Sequence, residues 1–150
     1  FCIFLYSSIF SSLFHAEFYK IASFELVDLP LLRYTASKGK PIILSCGLAS
    51  EEEIAEAVQA IESQGNRQIV LLKCCSEYPA DENDMNLQTI VDMKQKFGYP
   101  VGLSDHSMGN IADVVGAVRE SDYGLSYCFE QNPDSANFSI LLYIRYPKYF

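Results

Sequence analysis

The stretch VGLSDHSMGN, residues 101–110, decides how this chain is interpreted. Its apolar start is typical of a short buried strand, which ends abruptly in Ser104, Asp105 and His106. Such residues suit a site better than a strand interior, and ligands bind at the carboxyl ends of parallel strands in α/β proteins. The plain alternative is that Ser104 or Asp105 caps the following helix while His106 lies at the surface. The same layout, an apolar strand that ends in polar residues, recurs three times upstream. This recurrence favours a ligand-binding site over a helix cap.

Apolar runs and helical patterns alternate along residues 19–118. The predicted strands are residues 19–23, 41–45, 69–73 and 101–104. The predicted helices begin near Leu29, Ser50 and Leu87, end near Gly39, Gly65 and Gly98, and are followed by a last helix through residues 111–118. Ser50 and Glu53 have the spacing of a capping box. This alternation predicts βαβ units, and therefore an α/β fold with a parallel sheet or barrel.

Polar side chains end every predicted strand. They are Lys20 and Ser23, then Ser45, then Lys73 and Ser76, and finally Ser104, Asp105 and His106. Serine and aspartate commonly cap a following helix, but two lysines are harder to explain in that way. A barrel gathers such ends on one face, where lysines and hydroxyls suit an anion such as phosphate.

Composition excludes some classes of protein. The chain has 150 residues and a net charge of −8 with only 11 basic residues, whereas a nucleic-acid surface needs a basic face. Five cysteines without a C-x-x-C pair indicate reduced thiols and a cytoplasmic location. Residues 1–18 are apolar but lack a basic start and contain many serines, so we predict no membrane element there and leave this flank unassigned.

Five strings carry a resemblance to a known family. They are YKIASFEL (19–26), GKPIILSCGLAS (39–50), IVLLKCCSEYPA (69–80), MNLQTI (85–90) and YPVGLSDHSMG (99–109). Together they resemble the sialic acid synthase family, which includes N-acetylneuraminate, legionaminate and pseudaminic acid synthases. The resemblance implies a partial (β/α)8 TIM barrel over residues 19–139, roughly strands four to eight, with residues 140–150 an unassigned tail. The first three strands are expected upstream of residue 1.

The resemblance also implies an activity. Family members are enzymes that condense phosphoenolpyruvate with an acetamido sugar and release phosphate, and we expect a family homodimer that this piece does not retain. Lys73, the Tyr78-Pro79-Ala80 loop and the string NPDSA (132–136) are most similar to pseudaminic acid synthases. The expected sugar is then a diacetamido-trideoxy-hexose.

The resemblance assigns roles to single residues. The phosphoenolpyruvate-binding residues would be Lys20, Ser23, Ser45, Ser76 and Ser104. Tyr78 would lie in the sugar-side loop. His106 and Asp105 would be catalytic, and His106 would bind a divalent metal, usually manganese, that polarises the sugar aldehyde.

One departure from the family concerns its second metal-binding histidine. This histidine belongs at Tyr127 or Cys128, yet no histidine follows His106 in the sequence. Residues 119–129 do not match the apolar strand expected there. A reading-frame error or a decaying gene would produce such a local loss of the resemblance. We therefore predict that this chain by itself is catalytically inactive.

A Schiff-base aldolase is the less favoured alternative. It would use Lys73 or Lys20 at a strand end as its nucleophile. The serine-rich strand ends and the Ser104-Asp105-His106 string match the metal-dependent family better.

Overall fold

A computed structural model describes residues 17–77 and 79–107 and the backbone of two later strands. The strands are β1 (Tyr19–Ile21), β2 (Ile42–Ser45), β3 (Ile69–Cys74), β4 (Val101–Asp105), β5 (Tyr123–Phe129) and β6 (Phe138–Tyr143). The helices are α1 (Leu29–Ala36), α2 (Glu51–Glu62) and α3 (Thr89–Phe97). Tyr78, the helix predicted through residues 111–118 and residues 1–16 of the flank lie outside the described residues.

The chain divides into two compact units between Val70 and Leu71. In the first unit β1 and β2 run parallel, with Lys20 opposite Ile43 in the register. Helices α1 and α2 contact each other. Their buried faces join the buried side chains of the two strands in an apolar core that includes Ile21, Leu32, Ile42, Leu44, Ile54 and Ile61. Burial of these side chains is the main force that holds the unit together.

Local signals fix the start of each helix in this unit. Asp28 precedes α1, and its Oδ1 accepts a hydrogen bond of 3.0 Å from the Leu31 amide. At the start of α2, Ser50 Oγ accepts from the Glu53 amide at 3.2 Å and Glu53 Oε2 accepts from the Ser50 amide at 2.7 Å. This is the predicted capping box, and it satisfies two donors that a helix start otherwise leaves without partners.

The second unit contains β3, α3, β4 and the two later strands. Strand β3 pairs with β4 in parallel, with Lys73 opposite Leu103 and Cys74 opposite Ser104. Every residue of β4 is buried, as expected of a strand in a parallel sheet. Helix α3 contacts β4 and ends at Gly98, whose φ of +69° is a left-handed conformation that glycine adopts without strain.

Strand β5 corrects the interpretation of residues 119–129. Tyr123–Phe129 forms a strand parallel to β4, with Leu125 opposite Ser104. Its apolar residues alternate with Gly124, Ser126 and Cys128, which is the period of a strand rather than the unbroken apolar run that was expected. Residues 123–129 therefore form a strand that the sequence pattern had not indicated.

Strand β6 differs from the predicted parallel arrangement. It pairs antiparallel to β5, with Phe138 opposite Phe129. The boundary predicted after residue 139 consequently falls inside a strand, Phe138–Tyr143. The remaining strand pairs given above are parallel, so the predicted α/β class with a parallel sheet is confirmed.

The described helices are short. The longest, α2, has 12 residues, and a bilayer span needs about 20. No helix among the residues that the structure describes is long and apolar enough to cross a membrane.

Candidate functional site

In the first unit, the carboxyl ends of β1 and β2 carry three of the predicted binding residues. Lys20 lies opposite Ile43, and Ser45 lies two residues beyond Ile43. Because side chains alternate between the faces of a strand, Lys20 and Ser45 share one face. Ser45 is 2% exposed, and its Oγ has no hydrogen-bond partner among the described residues. A buried hydroxyl in this state is a ready donor for a ligand.

Ser23 joins the loops that follow these two strands. It begins a short 3-10 turn after β1, and its Oγ accepts a hydrogen bond of 3.2 Å from the Gly47 amide, just after β2. In this bond the Ser23 hydroxyl oxygen is the acceptor, and the bond joins the loop after β1 to the loop after β2. The structure thus brings Ser23 to the same end of the strand pair as Ser45.

In the second unit, His106 follows β4 and is fixed by the end of β3. Its Nδ1 lies 2.8 Å from the Cys75 carbonyl oxygen. A carbonyl only accepts hydrogen bonds, so Nδ1 carries the proton and donates it, which leaves a lone pair on Nε2. Ser104 Oγ lies 3.4 Å from Nε2. Ser104 and His106 therefore share one face of β4, and this pair can bind a ligand through an imidazole nitrogen and a hydroxyl.

Asp105 lies on the opposite face of β4, because strand side chains alternate. It is 1% exposed, and its Oδ1 accepts a hydrogen bond of 2.7 Å from the Ser107 amide. Asp105 Oδ2 and Ser107 Oγ have no partner among the described residues. This geometry gives Asp105 a role in shaping the turn after β4 and does not support the prediction that it takes part in catalysis beside His106.

Lys73 also departs from its predicted place. It pairs with Leu103, so it lies on the Asp105 face of the strand pair and not on the face of Ser104. Its Nζ donates to the Cys74 carbonyl oxygen at 3.2 Å. The idea of two lysines gathered at one anion site is therefore not supported for Lys73.

Ser76 is half-buried just beyond β3, next to Cys75.

Among the described residues, the metal prediction concerns His106. His106 Nε2 has the lone pair that a metal ligand needs, and its Nδ1 has the second partner that usually orients such a histidine. Within residues 17–77 and 79–107, however, no group of three or more His, Cys, Asp or Glu side chains could hold a metal ion. The described residues supply one suitable ligand and do not form a metal site.

Backbone groups and one carboxylate were missed by the sequence interpretation. The Cys75 carbonyl and the Gly47 amide hold His106 and Ser23 in place. Glu25 Oε2 accepts a hydrogen bond of 3.0 Å from the Ala22 amide, which sets a carboxylate beside Ser23. Backbone groups leave no signal in a sequence, but the three-residue spacing from Ala22 to Glu25 could have indicated this contact.

The comparisons with known proteins agree with the resemblance. Residues 7–120 match the NeuB family. This chain belongs to the NeuB family. The pseudaminic acid synthase of Campylobacter jejuni is 47% identical over 97 residues, which is 65% of this chain and 28% of that protein. The N,N'-diacetyllegionaminic acid synthase of the same species is 41% identical over 95 residues, which is 62% of this chain and 28% of the relative.

A solved structure also matches this chain. It is the N-acetylneuraminic acid (sialic acid) synthetase of Leptospira borgpetersenii in complex with citrate, with 34% identity and a TM-score of 0.71 over 77% of this chain and 40% of that chain. The predicted resemblance and the partial-barrel fold class are confirmed. The chain spans less than a third of the length of the two curated relatives.

Proposed function

We propose that this NeuB-family chain is part of a synthase that condenses phosphoenolpyruvate with an acetamido sugar and releases phosphate. Its relatives are named as synthases of pseudaminic, legionaminic and sialic acids. Among the two curated Campylobacter jejuni relatives, the pseudaminic acid synthase has the higher identity, 47% against 41%. We therefore take the sugar to be a diacetamido-trideoxy-hexose.

One observation carries this proposal: Lys20 and the buried, unpartnered hydroxyl of Ser45 share a face at the carboxyl end of one strand pair. A lysine ammonium with nearby hydroxyl donors suits a phosphate or carboxylate group, since hydrogen bonds from a charged donor are roughly twice as strong as neutral ones. Phosphoenolpyruvate carries both groups. The relative that binds citrate, a polycarboxylate, is consistent with an anion site in this family.

The residues proposed to bind the phosphate have a clear task in such a reaction. After the enol carbon has bonded to the sugar aldehyde, water adds to the carbon that bears the phosphate, and the C–O bond to phosphate then breaks. Negative charge builds on the departing phosphate, and donors already aimed at it lower the barrier without having to reorganise. Lys20, Ser23 and Ser45 would hold the phosphate of phosphoenolpyruvate in the first unit. Ser76 and Ser104 belong to the same proposed set in the second unit, and their convergence with the first three stays a prediction.

The proposal includes a divalent metal, manganese, with His106 Nε2 as one ligand. The lone pair on this nitrogen follows from the bond between Nδ1 and the Cys75 carbonyl. Because the described residues do not complete a metal site, we assign no reaction step to the metal.

Binding of phosphoenolpyruvate tests this function directly. Isothermal titration of the full chain should show binding of phosphoenolpyruvate, and Lys20→Met should weaken it by about tenfold or more because a charge-assisted contact is lost. Ser45→Ala should weaken it less. Lys40→Met removes an exposed lysine outside the strands and is the matched control, with affinity unchanged. Equal affinity in the Lys20→Met and Lys40→Met variants would contradict the proposal.

A further inference from the structure

The loops after β1 and β2 expose three large apolar side chains. Phe24 is 75% exposed, Val27 57% and Leu48 55%. Most large apolar side chains in the described part of this unit are at least partly covered, so such exposure is an exception. Exposed apolar surface at the end of parallel strands has a plain use, because ligands bind at that end and apolar surface contributes to their affinity.

Of the three, Phe24 and Leu48 are next in the chain to two residues that a single hydrogen bond joins beside the candidate anion site. Phe24 follows Ser23 and Leu48 follows Gly47, and the Gly47 amide donates to Ser23 Oγ at 3.2 Å. Each apolar residue is therefore the direct neighbour of one end of this bond. Phe24 and Leu48 therefore belong to the loops that also carry Ser23 or directly follow Ser45, two of the residues proposed to hold phosphoenolpyruvate.

We infer that Phe24 and Leu48 form an apolar rim that contacts the methyl groups of the sugar substrate and selects for a deoxy, diacetamido sugar. This inference rests on the proposed function. A diacetamido-trideoxy-hexose carries two acetyl methyls and a methyl in place of its terminal CH₂OH group. Packing these methyl groups against an aromatic ring and a leucine removes them from water, which favours binding.

The size of the rim favours a small ligand. A protein partner of ordinary affinity needs about 20 residues on each side of the interface. Two exposed side chains in the loops beside the candidate anion site match a monosaccharide better.

Saturation-transfer NMR and calorimetry on the full chain test the rim. The probes are the diacetamido-trideoxy-hexose, a mono-acetamido hexose that keeps its terminal hydroxyl, and phosphoenolpyruvate. Phe24→Ser should weaken binding of the diacetamido sugar by about tenfold, the loss expected for one aromatic contact. It should leave the affinity for phosphoenolpyruvate unchanged. Phe24→Leu keeps apolar area and should retain most of the preference for the diacetamido sugar.

Tyr34→Ser is the matched control, because Tyr34 is another exposed aromatic residue, 44% exposed, but lies on α1 outside both loops. It should change neither sugar nor phosphoenolpyruvate binding. Suppose that the unsubstituted chain binds both ligands, and that Phe24→Ser keeps the affinity for the diacetamido sugar and the preference for it over the mono-acetamido hexose. The inference of an apolar rim is then wrong, while the proposed function stands. If the unsubstituted chain binds neither phosphoenolpyruvate nor sugar, the proposed function fails and the rim fails with it.

Discussion

The imidazole of His106 is held by a backbone carbonyl and not by another side chain. Its Nδ1 lies 2.8 Å from the Cys75 oxygen, and the residue is 6% exposed. This contact sets the protonated nitrogen and so decides which nitrogen can accept a proton or a metal ion. The neighbouring hydroxyl of Ser104 is farther away, at 3.4 Å from Nε2.

We expect neutral His106 to be the tautomer protonated at Nδ1. Nitrogen-15 NMR of the imidazole in the full chain measures this directly, since protonated and unprotonated ring nitrogens resonate far apart. Ser104→Ala should leave the tautomer unchanged, because the Cys75 carbonyl and not the hydroxyl imposes it. Protonation at Nε2 in the unsubstituted chain would contradict the assignment.

Asn66 is another buried polar residue, and its role is structural. It is 5% exposed; its Nδ2 donates to the Lys40 oxygen at 2.8 Å and its Oδ1 accepts from the Gln68 amide at 2.9 Å. A longer bond of 3.4 Å reaches the Ala36 oxygen at the end of α1. The side chain thus joins the segment before β2 to the segment before β3.

Asn66→Ala should lower the free energy of unfolding by about 2 kcal/mol, because the bonded backbone groups lose their partner in a buried place. Urea unfolding followed by circular dichroism measures the change. Asn83→Ala is the control: Asn83 is exposed and bonds only to Asp81 among the contacts seen, so its loss should cost less than about 0.5 kcal/mol. Equal costs for the two variants would show that the Asn66 contacts do not stabilise the fold.

At the scale of elements, α2 depends on its first turn. The reciprocal bonds between Ser50 and Glu53 close the start of this helix, and the buried side chains of Ile54, Val58 and Ile61 then fix its face. The cap acts locally, so its contribution can be separated from that of the core.

Ser50→Ala should cost about 1 kcal/mol of stability, while Ser50→Asp should keep most of it because aspartate is an equally good N-cap. Glu52→Gln is the control, since Glu52 is exposed in the same turn but lies outside the capping box; its effect should stay within a few tenths of a kcal/mol. Thermal and urea unfolding provide the measurements. A Ser50→Asp variant as unstable as Ser50→Ala would refute the capping role.

Strand β5 shows an element that survives a change of its residues. Hydrogen bonds between strands use backbone groups, so the pairing of Leu125 with Ser104 tolerates many side chains as long as apolar and small residues alternate. A metal site depends on particular side chains and is less tolerant. Tyr127 or Cys128 stands where the resemblance to the family predicts a second metal-binding histidine.

At the scale of the whole molecule, we expect the chain to be inactive in the proposed condensation. A metal ion that binds substrate needs several protein ligands, and His106 is the last histidine in the sequence. Purified chain with manganese, phosphoenolpyruvate and the diacetamido sugar should release phosphate no faster than a sample without protein. Release above this background that His106→Ala abolishes would prove the expectation wrong, and binding of phosphoenolpyruvate without turnover is the result that fits.

The sequence by itself determined the order of strands and helices from β1 to β4, the α/β class and the family. These features are encoded locally: a capping box needs residues three apart, and a buried strand needs a short apolar run bounded by polar residues. The same local coding allowed Ser50, Glu53 and Gly98 to be placed before the structure was known. Lys20, Ser23 and Ser45 were also located at strand ends from sequence alone.

Only the tertiary structure decided which of the polar residues share a face and what holds them. Lys73 and Asp105 stand at strand ends like the others, but the pairing of β3 with β4 puts them on the face opposite Ser104. The partners of His106 and Ser23 are a carbonyl and an amide, groups that every residue except proline carries, so no pattern of side chains could indicate which ones would be used. Register and backbone contacts arise when distant segments meet, and this is why the sequence could not specify them.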